Sequence, residues 1–330
     1  MRSKYFFLVV FCGLTVSCTS VYRTSVQTLT PAEITFPQKA EKLTLLAREG
    51  YHLSSELKTS HDKEDIDTMV LNTLYALSDL LKDQTLYENT EIEVVKRPFT
   101  GFPQEQDYFS LFDEYKSDQI VLMDSVFVRD AYSRIQDSGL SYLAYELYIA
   151  QRWNVLFRGS DKITDRWISR DTLRWVGIGE GTNEALASLP LRADALWDAA
   201  FDVSKTYAGH IAPVWTSENR DLFSSGSYSQ IARQEYLAGN IQRAISLWMD
   251  LLVKTNSDKK KALFSHNIAV ACESLDDLKQ AEEWINKSLK FAQTGIKPTD
   301  PAATTIRQYS ERIQQRMAEI ARIQNQHQSE

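Results

Sequence analysis

Only 3 of the 330 residues are cysteine, too few for a disulfide scaffold. Glycine (12) and proline (8) are equally sparse, which excludes a collagen-like chain and an extended disordered one. Cations are outnumbered: 37 Lys and Arg against 44 Asp and Glu give a net charge of −7. A general nucleic-acid binder needs the opposite balance, so nucleic acid is not an expected partner. Catalytic patterns are missing too. His52, His61, His210, His266 and His327 are scattered with no HExxH, so no metal is expected. No GxSxG occurs, and Ser55/Lys58 and Ser257/Lys260 have Ser-x-x-Lys spacing without the companion SDN or KTG motifs. The expectation is a protein without enzymatic activity or cofactor. What is present is 43% hydrophobic and 25% charged residues, the composition of a folded chain long enough for about two domains.

The N-terminus carries an address. Arg2 and Lys4 precede an apolar run from Tyr5 to Leu14, and Thr15-Val16-Ser17 leads into Cys18. A charged start, a short apolar core and small residues before a cut are the layout of a secretory leader. The run is far short of the roughly 20 residues that span a bilayer as a helix. Ending on Ser17-Cys18, it resembles a bacterial lipobox, with Thr15 where Leu is usual. The resemblance implies a signal peptide over residues 1–17 and acyl chains on Cys18, each buried CH₂ contributing about 0.8 kcal/mol to anchoring. A plain secretory leader that happens to contain Cys18 is the alternative. Cleavage would leave Cys272 as the one unmodified thiol, on the apolar face of a helix where a small core residue belongs.

Residues 18–32, rich in Thr and Ser without apolar period, read as a tether. Residues 33–185 read as a mixed α/β domain. Strands are expected at Glu33–Phe36, Lys42–Arg48, Glu91–Val95, Gln119–Val128, Tyr142–Ala150 and Trp153–Phe157, the last two joined by a tight Gln-Arg turn. Ile66, Val70, Leu74, Leu77 and Leu81 step by four, four, three and four and predict a helix with one buried face. Gly177-Ile178-Gly179-Glu180-Gly181-Thr182 is glycine-rich, but it is not GxGxxG and Glu180 would repel a phosphate, so an inter-domain turn is the simpler reading.

From Pro190, placed as a helix start, the strand signal fades. Residues 186–298 read as helical repeats. Ala232, Gly239, Ala244, Trp248 and Leu252 overlay Ala269, Asp276, Ala281, Ile285 and Leu289 at a period of 37 residues. This resembles the tetratricopeptide repeat, whose period is 34, with Asp276 departing from its glycine. The resemblance implies close helix contact at the alanines and groove filling at Trp248 and Ile285. Thr299-Asp300-Pro301 then starts an amphipathic capping helix, and residues 299–330 form the cap and a frayed tail.

The fold class expected is therefore α+β, a mixed α/β domain followed by tetratricopeptide-like helices. Cys18, the Pro213/Trp215/Arg220 segment, Gly239-Asn240, Ala244 and Trp248 together resemble a group of uncharacterised Bacteroidota outer-membrane lipoproteins. That resemblance implies a place, the periplasmic face of the outer membrane, and no activity. Two functions follow as expectations. The first is a lipid-anchored assembly module binding a protein or peptide partner across its repeats. The second is a carbohydrate or ligand binder using aromatics at the domain junction, with Trp153, Trp167 and Trp175 as candidates. Packing of a junction is the competing role for those rings.

Overall fold

The computed structural model describes residues 20–36, 40–49, 60–98, 105–137 and 139–327, so Cys18 lies outside the described residues. The elements in order are β1 (Ser20–Thr30), β2 (Lys42–Glu49), α1 (Ser60–Lys82), β3 (Glu91–Pro98), α2 (Glu105–Phe109), α3 (Leu111–Tyr115), β4 (Gln119–Asp137), β5 (Leu140–Phe157) and β6 (Asp165–Gly179). There follow α4 (Thr182–Ala187), α5 (Arg192–Ile211), β7 (Val214–Ser224), α6 (Ser227–Leu237), α7 (Ile241–Lys254), α8 (Asp258–Ser274), α9 (Leu278–Gly295) and α10 (Pro301–His327). The class is α+β. The chain divides into two compact units, Leu29–Val214 with the residues from Ala321, and Trp215–Ile320 with the residues up to Thr28.

The first unit is a five-stranded sheet in the order β3-β2-β4-β5-β6. β2 runs parallel to β3 and β4, while β4, β5 and β6 are antiparallel neighbours. Its centre is dictated by β2, which buries both faces. Leu43, Leu45 and Ala47 join the core under α1 and α5, and Leu46 joins a smaller core under α2 and α3. The stripe Ile66, Val70, Leu74, Leu77 and Leu81 of α1 is buried throughout.

Several expectations change here. Glu33–Phe36 forms no strand. Tyr142–Phe157 is one continuous strand, because Gln151 and Arg152 keep their register against Val126 and Ser125 across a β-bulge in β4. The glycine-rich stretch is no inter-domain turn: Gly177 and Gly179 lie inside β6, and α4 folds back onto them. A Cβ on Gly177 would collide with the Ala185 carbonyl oxygen, and one on Gly179 with the Glu184 side chain. The helix expected from Pro190 begins at Arg192 and packs its Ala195, Leu196, Ala199 and Val203 into the sheet core instead of joining a helical array. The unit accordingly extends beyond residue 185, to Val214.

The second unit holds two helical hairpins, α6–α7 and α8–α9, followed by α10. Ala232, Ala244 and Trp248 are buried in the first hairpin, and Ala269, Ala281 and Ile285 occupy the same places in the second. The glycine-for-aspartate exchange is explained by the backbone. Gly239 has φ +84° and Asp276 has φ +58°, a left-handed bend that glycine adopts freely and aspartate tolerates. Asp277 then caps α9 by accepting from the Gln280 N–H at 3.0 Å. Ser257 caps α8 in the same way, accepting from the Lys260 N–H, so this serine of a Ser-x-x-Lys pair is a helix cap.

The expected tether is a strand over Ser20–Thr30: β1 pairs with β7, another strand the sequence reading did not foresee. β7 lies along α8. Asn267 grips one residue of it from both sides, accepting from the Phe223 N–H at 2.8 Å and donating to the Phe223 carbonyl at 2.7 Å. His266 Nε2 meets the Asp221 carbonyl at 2.9 Å. Beside them Glu273, buried, accepts from Arg220 Nε and Nη2 at 2.8 and 2.7 Å, Arg316 Nη1 at 2.9 Å and the Tyr309 hydroxyl at 2.8 Å. Burial works to raise the Glu273 pKa, but these cationic and hydroxyl donors outweigh it and hold the carboxyl below its usual range.

Removing one partner of a buried ionic cluster leaves the others uncompensated. Glu273→Ala is expected to cost about 3–5 kcal/mol in urea unfolding of the helical unit. A loss under 1 kcal/mol would show that the cluster is solvated and not structural.

Candidate functional site

The sheet unit carries a groove of about 790 Å³ between α1, α5 and β6. From α1 come Asn72, Tyr75 and Asp79, from α5 Trp197, Asp198, Phe201 and Asp202, and from β6 Thr172, Arg174 and Trp175. Tyr75, Trp197 and Phe201 are 56%, 64% and 52% exposed, an unusual outlay of aromatic surface on the flanks of two helices whose other faces are buried. Trp197 and Phe201 stand one turn apart on α5, on the side away from the Leu196/Ala199/Val203 stripe, and so project together.

Trp175 is held in place from below. It stacks on Tyr145 with ring centroids 5.4 Å apart, and Tyr145 stacks on Tyr132 at 4.7 Å, a row set by the β4–β5–β6 register. The Tyr145 hydroxyl donates to Asp130 at 2.6 Å, and Arg192 donates to the other Asp130 oxygen at 3.1 Å. The ring row is therefore fixed before any ligand arrives. The acids set the sign of the groove. Asp171, next to it on β6, has its pKa raised first by burial and then by the charge of Asp202. Arg174 is drawn toward Glu146, 3.5 Å away.

Of the three tryptophans singled out from sequence, Trp175 alone lines this groove. Trp153 is fully buried and stacked on Tyr207 at 3.9 Å, so neither its face nor its edge reaches solvent. Trp167 is half-buried, with its face taken by His210 at 4.6 Å. Both rings are packing elements of the sheet core. Tyr75, Trp197 and Phe201 were missed, although the pair Trp197/Phe201 opposite an apolar stripe was a readable signal. In the helical unit Ala232, Gly239, Ala244, Trp248, Ala269, Ala281 and Ile285 are structural positions. Cys272 is buried and its thiol pKa is pushed up to about 11, by burial first and then by Asp277. Among the described residues no group of three His, Cys, Asp or Glu is arranged to hold a metal ion.

Residues 34–223 match a domain of unknown function, DUF8603, and residues 230–315 match another, DUF6340. The chain belongs to the DUF8603 family. No curated protein matches it. Among solved structures it is similar to a Helicobacter pylori protein described as a neuraminyllactose-binding hemagglutinin homolog, at 14% identity, 55% of this chain, 87% of that one and TM-score 0.33. It is also similar to a minor lipoprotein from Acinetobacter baumannii, at 11% identity over 52% of this chain and 94% of that one, TM-score 0.24. A third is lipoprotein GNA1162 from Neisseria meningitidis, at 11% identity over 50% and 98%, TM-score 0.23. Scores this low assign neither fold nor function to a DUF8603 chain.

The floor of the unit contains one titrating link. His210 bridges Glu33, 2.7 Å from Nδ1, and Asp165, 2.9 Å from Nε2. Burial pulls the imidazole pKa down, but the hydrogen bonds and charges of Asp165 and Glu33 overcome it and the net shift is upward from 6.5. A pKa raised by folding stabilises fully below the unfolded value near 6.5 and ceases to do so as pH rises through the folded value. The urea midpoint is thus expected to fall as pH is raised from 6 through that higher value. His210→Asn should flatten this dependence, and an unchanged profile in the variant would place the titrating group elsewhere.

Proposed function

We propose that this chain is a non-catalytic ligand-binding protein of the cell envelope, carried by acyl chains on Cys18, whose binding site is the aromatic groove of its sheet unit. The observation that carries the reading is the set of exposed rings Tyr75, Trp197 and Phe201 beside the fixed Trp175, interleaved with Asp79, Asp198, Asp202 and Asn72. Rings stack on the C–H faces of a sugar, and carboxylates and amides accept and donate to its hydroxyls. A saccharide is therefore the ligand class that this chemistry fits. The leader ending on Ser17-Cys18 supports the anchor and the outer membrane as its place, facing the periplasm. The leader, the sheet unit and the tetratricopeptide-like register together support a place among Bacteroidota lipoproteins.

A protein or peptide partner on the helices, which the repeat register alone favours, would have to use a surface other than the inner one. There α8 is buried on every side from Ala262 to Glu273, and β7 lies along it. The groove of the sheet unit is an open site lined by exposed rings.

Screening the purified protein against a glycan array, followed by titration on the best hit, tests this reading. Trp197→Ala is expected to weaken binding about tenfold with the fold intact, the loss of one stacking ring. Failure of every glycan, or equal affinity in the variant, would remove the saccharide reading. Labelling cells with a fatty-acid analogue checks the anchor separately: label should appear on the protein and disappear with Cys18→Ala.

A further inference from the structure

β6 has a second surface, which meets the groove only at its edge, where Thr172 and Arg174 lie. Side chains alternate along a strand, so Trp167, Leu173 and Trp175 turn toward the helices while Arg166, Ile168, Arg170, Arg174, Val176 and Ile178 turn to the other face. All six are exposed. The register extends this face across the sheet. Arg152 of β5 stands opposite Ile168, and Arg129 of β4 stands opposite Tyr148, itself opposite Thr172; both arginines are exposed. Five arginines thus share one open face in a chain whose net charge is −7. Two acids border this face: Glu146, 3.5 Å from Arg174, and Asp124, buried and 3.7 Å from Arg152. Arg166, Arg170 and Arg174 recur every fourth residue, about 13 Å apart along the strand.

We propose that this face docks on an anionic lipid bilayer. The guanidinium fork pairs with phosphate oxygens in a bidentate geometry, which an ammonium does not match. Ile168, 45% exposed, projects between Arg166 and Arg170, and Val176 and Ile178, each 53% exposed, continue the face beyond Arg174. A dissolved polyanion would leave those three side chains facing water. The interfacial layer of a bilayer takes both kinds, cations at the phosphates and aliphatics just below. An acyl anchor holds a protein at a membrane without setting which side faces it. A basic, aliphatic-studded sheet face sets that orientation.

The test uses the chain from Thr19 to Glu330, which keeps every described element and carries no lipid, so its outcome is independent of acylation and of the groove. Sedimentation with vesicles of phosphatidylcholine alone, or with one-third phosphatidylglycerol, should show binding to the anionic vesicles only, weakening as salt rises. Replacing three exposed arginines outside the groove together (Arg129→Gln, Arg166→Gln and Arg170→Gln) should lower the partition coefficient about 100-fold. Val176→Ser with Ile178→Ser should lower it while leaving the salt dependence unchanged. Equal partition onto neutral vesicles, or a triple variant that binds like the parent, overturns the proposal. So does retention on a sulfated polysaccharide column without vesicle binding, which would make the ligand a soluble polyanion.

Discussion

A buried carboxylate holds the helical unit in its shape. Glu273 lies on α8, and its donors come from β7 and from α10, so a single side chain draws a strand and a distant helix onto the same inner surface. Three buried charges are costly to desolvate, and the arrangement stands because each oxygen of Glu273 is satisfied more than once. Arg220 gains a further contact with Glu218 at 2.9 Å, and Arg312 pairs with that same Glu218, whose carboxyl is pulled down to about 2 by Arg312 first and Arg220 second, against the opposing effect of burial. The chain of charges Arg312, Glu218, Arg220, Glu273 and Arg316 is a continuous seam between strand and helices. Its structural consequence is that β7 and α10 are both held against α8 through one carboxylate.

The sheet unit is organised by a different constraint, the two-residue period of β6. One phase of that strand supplies Trp175 to the groove and Trp167 to the core, and the other supplies the arginines of the open face. A shift of register by one residue would exchange the two sets. The register is pinned by Trp153, whose ring must meet Tyr207, and by the Tyr132–Tyr145–Trp175 row. The same packing that fixes the core therefore aims both surfaces. The helices complete the groove, α5 by carrying Trp197 and Phe201 and α1 by carrying Tyr75 and Asp79 on flanks they do not bury.

Legibility in the sequence followed how much of each element's burial is apolar. The α1 helix announced itself through five buried aliphatics, and the hairpins through alanines in a shared register, while the common left-handed turn at Gly239 and Asp276 was masked by the exchange of glycine for aspartate. β1 did not, since its inward positions include Thr28, which bonds Thr216 and Glu218 instead of packing in a hydrophobic layer. β7 was invisible for the same reason: its key inward residue is an arginine, and an arginine reads as surface until Glu273 is known to face it. β5 was cut in two at Gln151-Arg152 because a buried glutamine mimics a turn. The tryptophans failed differently. Sequence shows that a ring exists but not whether a neighbour covers its face, so Trp153 and Trp175 look alike and end in opposite environments.

The open arginine face shows why a whole-chain charge is a poor guide to partners. A net charge of −7 argued against anionic partners on the assumption that charges are mixed over the surface. They are segregated here. The acids Asp79, Asp198 and Asp202 line the helix side of the sheet unit, and Arg166 and Arg170 of β6 line the other, with Arg174 at the edge between them. A layer of helix on sheet is about 10 Å thick, while the Debye length at physiological salt is about 8 Å, so each surface is largely screened from the other. An approaching partner responds to the field within that distance and not to the sum over the chain. Alternation along one strand is enough to give a single acidic protein two chemically opposed surfaces.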